Sequence, residues 1–307
     1  MIDEKILRTE EKIIFALRAL YSEHGYKPVR LSKFEEYELY AHNKDFIGDD
    51  RIITFNDSNG KLMALKPDVT LSIVKNGKDI PGHKQKVSYN ENIYRTTGRE
   101  GRFSEIMQAG LECIGDIDSE DILQVISLAA QTLELISEDF VLEISHLGIL
   151  SALLGEISED ESFLKKAAEY IRAKNVHDME KLCREHEIPE EQAKRLITFT
   201  GICGDLDTVM GQLEPICTTE ATAKALAEFE DVGLRIRELG YGERIMCDFS
   251  IVNNMKYYNG IVFRGFLKGI YEGVLSGGQY DNLLKKMGRK SGAIGFALYL
   301  DRLEDII

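Results

Sequence analysis

The sequence lacks any apolar run approaching the ~18 residues that a membrane-spanning helix requires. Its N-terminal segment, Met1 to Lys12, mixes both signs of charge, which does not fit a secretory signal peptide. These two absences predict a cytoplasmic protein that does not associate with a membrane.

Metal and disulfide chemistry also lack support. The five cysteines are scattered, odd in number and form no C-x-x-C pair, so buried reduced thiols are expected. The six histidines show no ligand spacing, which predicts no metal site, and nothing indicates a cofactor.

Basic residues are dispersed and outnumbered by acidic ones, 38 against 52. The formal net charge is −14, and no basic cluster is longer than Lys285-Lys286 with Arg289-Lys290. Because proteins that follow a phosphate backbone usually carry a basic surface, this balance weighs against tRNA binding.

The secondary-structure pattern changes twice along the 307 residues. Residues 1–146 and 240–307 alternate strand-like and helical segments, whereas residues 147–239 are helical in character. A helical insertion is therefore predicted to interrupt an α+β domain with largely antiparallel strands. No βαβ alternation carries a G-x-G-x-x-G turn, which argues against a nucleotide-binding Rossmann fold.

Apolar spacing and end residues predict two helices. The first is predicted to begin at Asp3 and to end at Gly25. The second is predicted over 121–136, with Ser119 as its N-cap.

The segment Leu65-Lys-Pro-Asp-Val-Thr70 leads from a strand into a short helix. Asp68 and Thr70 lie at the start of that helix, where both can act as caps. The alternative interpretation is that Asp68 faces the ammonium group of a ligand.

Three arginines surround a glycine-rich turn between two predicted strands: Arg95, Arg99 and Arg102. Such a turn can present guanidinium groups to phosphates. On the second strand, Gln108, Gly110 and Glu112 share one face by period two, which indicates a polar pocket floor. A solvated hairpin with an exposed face explains the same pattern.

The last third of the chain contains paired tyrosines and two glycine-rich runs. Tyr257 and Tyr258 precede a turn and a strand, and core packing alone accounts for them. Glycines in 276–281 and 292–303 allow a strand to approach a ligand or another backbone closely. Arg302 lies in an apolar run and needs a partner, either a carboxylate or a phosphate.

Taken together, these segments resemble the catalytic domain of class II histidyl-tRNA synthetases and of their paralogue, the regulatory subunit of ATP phosphoribosyltransferase. The resemblance covers roughly residues 5–145 and 240–307 and implies an antiparallel sheet flanked by helices. It also implies site residues, carried over position by position. The implied histidine-binding residues are Asp68, Thr70, Gln108, Glu112, Tyr257 and Tyr258. Arg95 and Arg302 match the arginines that contact ATP in synthetases, and we expect them to be vestigial here.

This sequence departs from the synthetase pattern at residues that take part in activating the amino acid. Asn253 stands where synthetases carry the arginine that assists adenylate formation, and Lys256 replaces an acid. Thr97 and Gln279 replace a further acid and a further arginine. Losing one transition-state contact of this kind typically costs ~10²-fold or more in rate.

The sequence ends at Ile307, directly after the third motif, so we expect no anticodon-binding domain. The resemblance then implies a regulatory subunit without catalytic residues of its own. Its partner would be a short-form ATP phosphoribosyltransferase catalytic subunit, and histidine would be the effector. A homodimer within a hetero-oligomer is the expected assembly. The alternative is a truncated ligase that adenylates an amino acid for a non-tRNA acceptor.

Overall fold

The structure is a computed structural model that describes residues 6–47, 52–97, 101–252 and 257–303. Arg99, Asn253 and Lys256 lie outside these ranges, so the predictions that involve them have no structural counterpart. Asp3 also lies outside them, although the helix predicted to begin there is described from its first residue onward.

Twelve strands and twelve α-helices are assigned in the described chain. The strands are β1 (Lys27–Pro28), β2 (Phe34–Glu36), β3 (Thr54–Asn56), β4 (Leu62–Leu65), β5 (Lys84–Thr97), β6 (Arg102–Gly115), β7 (Phe140–His146), β8 (Cys203–Gly204), β9 (Ile245–Asp248), β10 (Ile261–Leu267), β11 (Leu275–Gln279) and β12 (Gly292–Tyr299). The helices are α1 (Thr9–Glu23), α2 (Tyr37–Ala41), α3 (Lys44–Ile47), α4 (Val69–Asn76), α5 (Ser119–Ile136), α6 (Leu147–Ile157), α7 (Glu161–Arg172), α8 (Val176–Glu185), α9 (Glu190–Thr200), α10 (Leu206–Leu213), α11 (Glu220–Ile236) and α12 (Asp281–Lys286).

Nine strands form the main sheet in the order β1-β5-β6-β12-β11-β10-β7-β9-β8. Its central ladders are antiparallel, and parallel pairing occurs between β1 and β5 and between β7 and β9. A separate small sheet has the order β2-β4-β3. The predicted class, an antiparallel sheet flanked by helices, is confirmed, with parallel pairs toward its two edges.

Both predicted helix starts need correction. The first helix begins at Thr9 rather than Asp3, because the Glu11 side chain accepts a hydrogen bond from the Arg8 backbone at 2.9 Å and closes the first turn there. The second helix is capped by Asp118, whose carboxylate accepts from the Asp121 backbone N–H at 3.1 Å. Ser119 is instead its first helical residue.

The helices between residues 147 and 239 share one hydrophobic core with the main sheet. Phe249 follows β9 and contacts Phe199 of α9 and Phe229 of α11, each at a ring separation of 5.2 Å. Within this helical stretch, strand β8 pairs with β9 and extends the sheet. The division of the chain into a synthetase-like core and a helical insertion remains a prediction, because the two parts pack into one hydrophobic core.

One buried ion pair anchors the segment that leads into the pocket described below. Lys66 is fully buried, and its Nζ lies 2.5 Å from the Glu91 carboxylate on β5. The other oxygen of Glu91 accepts from the Leu31 backbone N–H at 3.1 Å. Because the ammonium is removed from water, its single carboxylate partner determines whether burial is tolerated.

We expect Lys66→Met to destabilise the fold by about 3–5 kcal/mol, because it leaves a mostly buried carboxylate without its cation. Lys61→Met is the matched control, since Lys61 pairs with Glu36 at 2.7 Å on the surface and should change stability little. Urea denaturation of both variants measures the difference. Equal effects would show that burial of the Lys66 pair does not matter.

Candidate functional site

A cavity of about 320 Å³ lies on one face of the main sheet. Its lining comprises Phe46, Asp68, Val69, Thr70, Tyr89, Arg95, Gln108, Glu112, Tyr257, Tyr258, Ser276, Tyr280, Gly295, Phe296, Ala297 and Tyr299. All the residues predicted for histidine binding line this cavity, and Arg95 does so too. Arg302 is not among the lining residues. Their roles toward a ligand remain predictions.

Glu112 is the most deeply buried acid of the cavity, with 2% of its surface exposed. It accepts hydrogen bonds from the Thr70 hydroxyl at 2.7 Å and from the Tyr280 hydroxyl at 2.5 Å. Burial raises the pKa of the Glu112 carboxyl to about 8, although both hydroxyl donors oppose the rise and the charge of Asp68 adds to it. The Glu112 carboxyl is therefore protonated near neutral pH and would ionise when a cation binds beside it.

Gly295 of β12 creates the space for that carboxyl. It pairs with Glu112 across the β6–β12 ladder, and a Cβ at this position would lie 1.7 Å from Glu112 Oε2 and 2.5 Å from the Leu111 carbonyl. The sequence predicts that glycines here allow close approach. Both a side chain, that of Glu112, and a backbone carbonyl, that of Leu111, approach this glycine closely.

Asp68 caps helix α4. One carboxylate oxygen accepts from the Leu71 backbone N–H at 2.8 Å, and the other lies 3.8 Å from a guanidinium nitrogen of Arg95. Arg95 is fixed in turn by its Nε, which donates to the Pro67 carbonyl at 2.7 Å. The capping interpretation is confirmed for Asp68, which also lines the cavity, whereas the Thr70 hydroxyl donates to Glu112 instead.

Aromatic rings form one wall. Tyr257 contacts Tyr258 at a ring separation of 4.5 Å, Phe46 at 5.4 Å and Tyr280 at 5.6 Å. Such a wall excludes water and offers flat faces to a planar or cationic group.

Gln108 lies on the same face of β6 as Glu112 and is 5% exposed. Its cross-strand neighbour Tyr299 hydrogen-bonds with Ser276 through their hydroxyl groups at 3.0 Å. The floor beneath the aromatic wall is therefore polar, as the period-two spacing predicts, and buried rather than solvated.

Arg302 lies on a short 3-10 turn after β12 and is partly exposed. Its guanidinium donates to the Gly273 carbonyl, lies 3.3 Å from Glu272 and stacks over the Tyr299 ring at 4.4 Å. Of the two partners that the sequence leaves open for Arg302, the structure provides the carboxylate.

Gln279, which replaces an arginine of the synthetase pattern, does not line the cavity. Its amide donates to Asp281 Oδ2 at 3.0 Å, and the Asn259 amide donates to the same oxygen at 3.0 Å. The Asp281 carboxylate therefore joins the segment after Tyr258 to the start of α12.

Several lining residues are missed by the sequence analysis, above all Tyr280, Tyr89 and Phe46. Tyr280 falls inside the singled-out run 276–281, and its place beside two glycines is the available signal. Phe46 comes from a separate short helix, and no local pattern links it to the site.

Across the described ranges, no group of three or more histidine, cysteine, aspartate or glutamate residues is arranged to hold a metal ion. In the same part of the chain, no helix has the length and apolar character needed to cross a bilayer.

The fold and the cavity define a member of the class II synthetase-like proteins. The family model described as "Histidyl-tRNA synthetase" matches residues 2–303, so the chain belongs to the histidyl-tRNA synthetase family.

Curated relatives of this chain within the family carry the name of a regulatory subunit. A protein of Bacillus thuringiensis (strain Al Hakam) named ATP phosphoribosyltransferase regulatory subunit is 27% identical over 95% of this chain and 71% of its own length. A Bacillus anthracis protein with the same name is 28% identical with the same coverage.

Comparison with solved structures agrees with this family membership. A Bacillus halodurans protein described as an ATP phosphoribosyltransferase regulatory subunit/histidyl-tRNA synthetase superposes with a TM-score of 0.85 at 25% identity. That match covers 99% of this chain and 80% of the other. The ATP phosphoribosyl transferase complex of Thermotoga maritima contains a chain with a TM-score of 0.74 at 18% identity, covering 97% of both chains, which shows the shared fold.

The raised pKa of Glu112 predicts a pH-dependent stability that Glu112→Gln should remove. In the folded protein the carboxyl keeps its proton up to about pH 8, whereas an unfolded glutamate loses it near 4.5. Since the native state binds the extra proton between these values, the free energy of unfolding should fall as pH rises through this window. Urea denaturation from pH 5 to 8 measures both slopes. Parallel slopes for wild type and variant would contradict the assignment.

Gly295→Ala should destabilise the protein by about 1–3 kcal/mol or more, because the added methyl group overlaps the Glu112 carboxyl and a rigid backbone carbonyl. Gly155→Ala is the control, since that helical glycine has open space around its Cβ position. The control should be neutral or slightly stabilising. Thermal unfolding compares the two, and tolerance of alanine at 295 would mean that Glu112 moves freely.

Proposed function

We propose that this chain is a regulatory subunit of ATP phosphoribosyltransferase that performs no catalysis itself. That enzyme joins ATP and phosphoribosyl pyrophosphate in the first step of histidine biosynthesis. The chain would associate with a separate short-form catalytic subunit, be required for full activity and confer inhibition by histidine. The names of the curated relatives support this proposal, and the observation that carries it is the buried Glu112 beneath an aromatic wall.

The cavity suits histidine chemically. The carboxylates of Glu112 and Asp68 would accept the α-ammonium group or a protonated imidazole, and Gln108 offers an amide beside them. The rings of Tyr257 and Tyr258 would enclose the imidazole. A cation bound against Glu112 would stabilise its ionised form, so binding should release a proton near neutral pH.

ATP activation has weaker support. An adenylating enzyme needs preorganised cations around the transferring phosphate. Here the Arg302 guanidinium is directed at Gly273 and Glu272, and Gln279 is committed to Asp281. This arrangement supports a pocket that binds an amino acid without activating it.

Regulation by such a pocket follows from linkage. If histidine binds one assembly state better than another, it must shift the population toward that state by its differential affinity. A homodimer of this chain within a hetero-oligomer would place several such sites in one assembly.

The deciding experiment measures phosphoribosyl-ATP formation by a short-form catalytic subunit with and without this chain, and then with added histidine. We expect the chain to raise the rate and histidine to suppress it. Glu112→Gln should raise the half-inhibitory histidine concentration about tenfold or more while leaving activation intact. Glu169→Gln, an exposed change of the same type on α7, is the control. Failure of this chain to alter the rate would refute the proposal.

Histidine-dependent ATP–pyrophosphate exchange tests the ligase alternative directly. We expect no exchange above the background of a Glu112→Gln preparation. A robust exchange signal that is lost on substitution of Arg95 would show that this chain is an enzyme.

A further inference from the structure

The Asp281 carboxylate, at the start of α12, accepts hydrogen bonds from three other residues. Its Oδ1 accepts from the Ala293 backbone N–H at 2.8 Å. Its Oδ2 accepts from the side-chain amides of Asn259 and Gln279, both at 3.0 Å. Because hydrogen bonds to a charged acceptor are stronger than neutral ones, this carboxylate fixes the distances between the segments that supply its donors.

Each of these segments carries a part of the cavity. Asn259 directly follows the paired tyrosines of the aromatic wall. Tyr280, whose hydroxyl donates to the buried acid of the cavity, directly precedes Asp281. Ala293 lies on β12, two residues before Gly295, the glycine that makes room for that acid. The Asp281 carboxylate therefore connects the wall, the hydroxyl donor and the floor.

The backbone around Asn259 aims its amide at Asp281. The Asn259 N–H donates to the Gln279 carbonyl at 3.0 Å, and its side-chain oxygen accepts from the Asn282 backbone N–H at 3.4 Å. At the next residue, Gly260, a Cβ would overlap the Gln279 side-chain amide. This close packing leaves the wall segment one path past the start of α12.

Amides, rather than a cation, balance the charge of Asp281. Within the ranges that the structure describes, no lysine, arginine or histidine forms an ion pair with this carboxylate, which is partly buried. Removing a donor from such a group leaves part of its charge unsatisfied. The contact with the wall segment is therefore one of a small set on which the carboxylate depends.

We propose that Asp281 is a positioning residue for the ligand site, which holds the segment of Tyr257 and Tyr258 in place against the buried acid and the floor. This inference rests on the proposed amino-acid site and adds to it a residue that does not line the cavity. Asp281 acts on a ligand only through the residues that it holds.

Calorimetric titration with histidine tests this role. Asp281→Asn keeps the side-chain shape but leaves one acceptor oxygen in place of two, so we expect histidine binding to weaken about tenfold or more. Asp79→Asn is the matched control, because Asp79 accepts from the Arg289 guanidinium and the Lys290 backbone N–H, both at 2.7 Å, and does not line the cavity. The control should lower the unfolding temperature and leave histidine affinity unchanged.

A second measurement needs no ligand. Burial is the largest cause of the raised pKa of Glu112, so a displaced wall that admits water should lower this pKa. With rising pH, the fall in the free energy of unfolding should then level off about one pH unit lower in Asp281→Asn than in wild type. Urea denaturation between pH 5 and 9 measures this profile, which Asp79→Asn should leave unchanged.

Two further variants isolate the contact between Asp281 and the wall segment. The double variant Asn259→Asp with Asp281→Asn exchanges donor and acceptor and should recover part of the histidine affinity. Asn259→Ser removes the wall's amide alone and should weaken histidine binding in the same direction, which keeps the test open if Asp281→Asn does not fold.

A loss of stability in Asp281→Asn, with wild-type histidine affinity and a wild-type pH profile, would show a purely structural role and overturn the inference. Absence of histidine binding by the wild-type protein would instead refute the proposed ligand. In that case the pH profile, which is measured without ligand, still decides whether Asp281 positions the wall.

Discussion

The burial of one carboxyl group, that of Glu112, organises the site. An acid with 2% exposure is tolerated only when its oxygens have hydrogen-bond donors, and Thr70 and Tyr280 provide them. These donors come from chain segments more than two hundred residues apart. A glycine at 295 then becomes a steric requirement, because any side chain would occupy the place of the carboxyl.

Two positions of the synthetase pattern, Gln279 and Arg302, are engaged by other parts of this chain. Where the synthetase pattern has an arginine, the Gln279 amide donates to Asp281, and Asp281 also accepts from Asn259, which follows the paired tyrosines. Arg302, although retained, is held by Glu272 and a backbone carbonyl. Arg95, the arginine that lines the cavity, lies beside the Asp68 carboxylate.

Sequence reasoning predicts the parts of the site that lie on regular elements. Period two on β6 places Gln108 and Glu112 on one face, and the proline before α4 identifies Asp68 as a cap, because both depend on local rules. Gly295 becomes informative only through strand register, which places it opposite Glu112 on β6. The choice between Ser119 and Asp118 as cap also escapes the pattern, since adjacent residues of similar capping preference differ only in backbone geometry.

The floor and the wall of the cavity are built differently, and this difference bears on regulation. The floor consists of paired strands whose small residues are fixed by backbone ladders. The wall consists of rings contributed by separate segments, with Phe46 packed on Tyr257 and the Lys286 ammonium 4.6 Å from the Phe46 ring centre. Close-packed sheets resist displacement, whereas ring contacts between segments exchange at lower cost. A ligand can shift an equilibrium only through states that bind it differently. Under the proposed function, we therefore expect the aromatic wall, rather than the floor, to change with occupancy of the cavity.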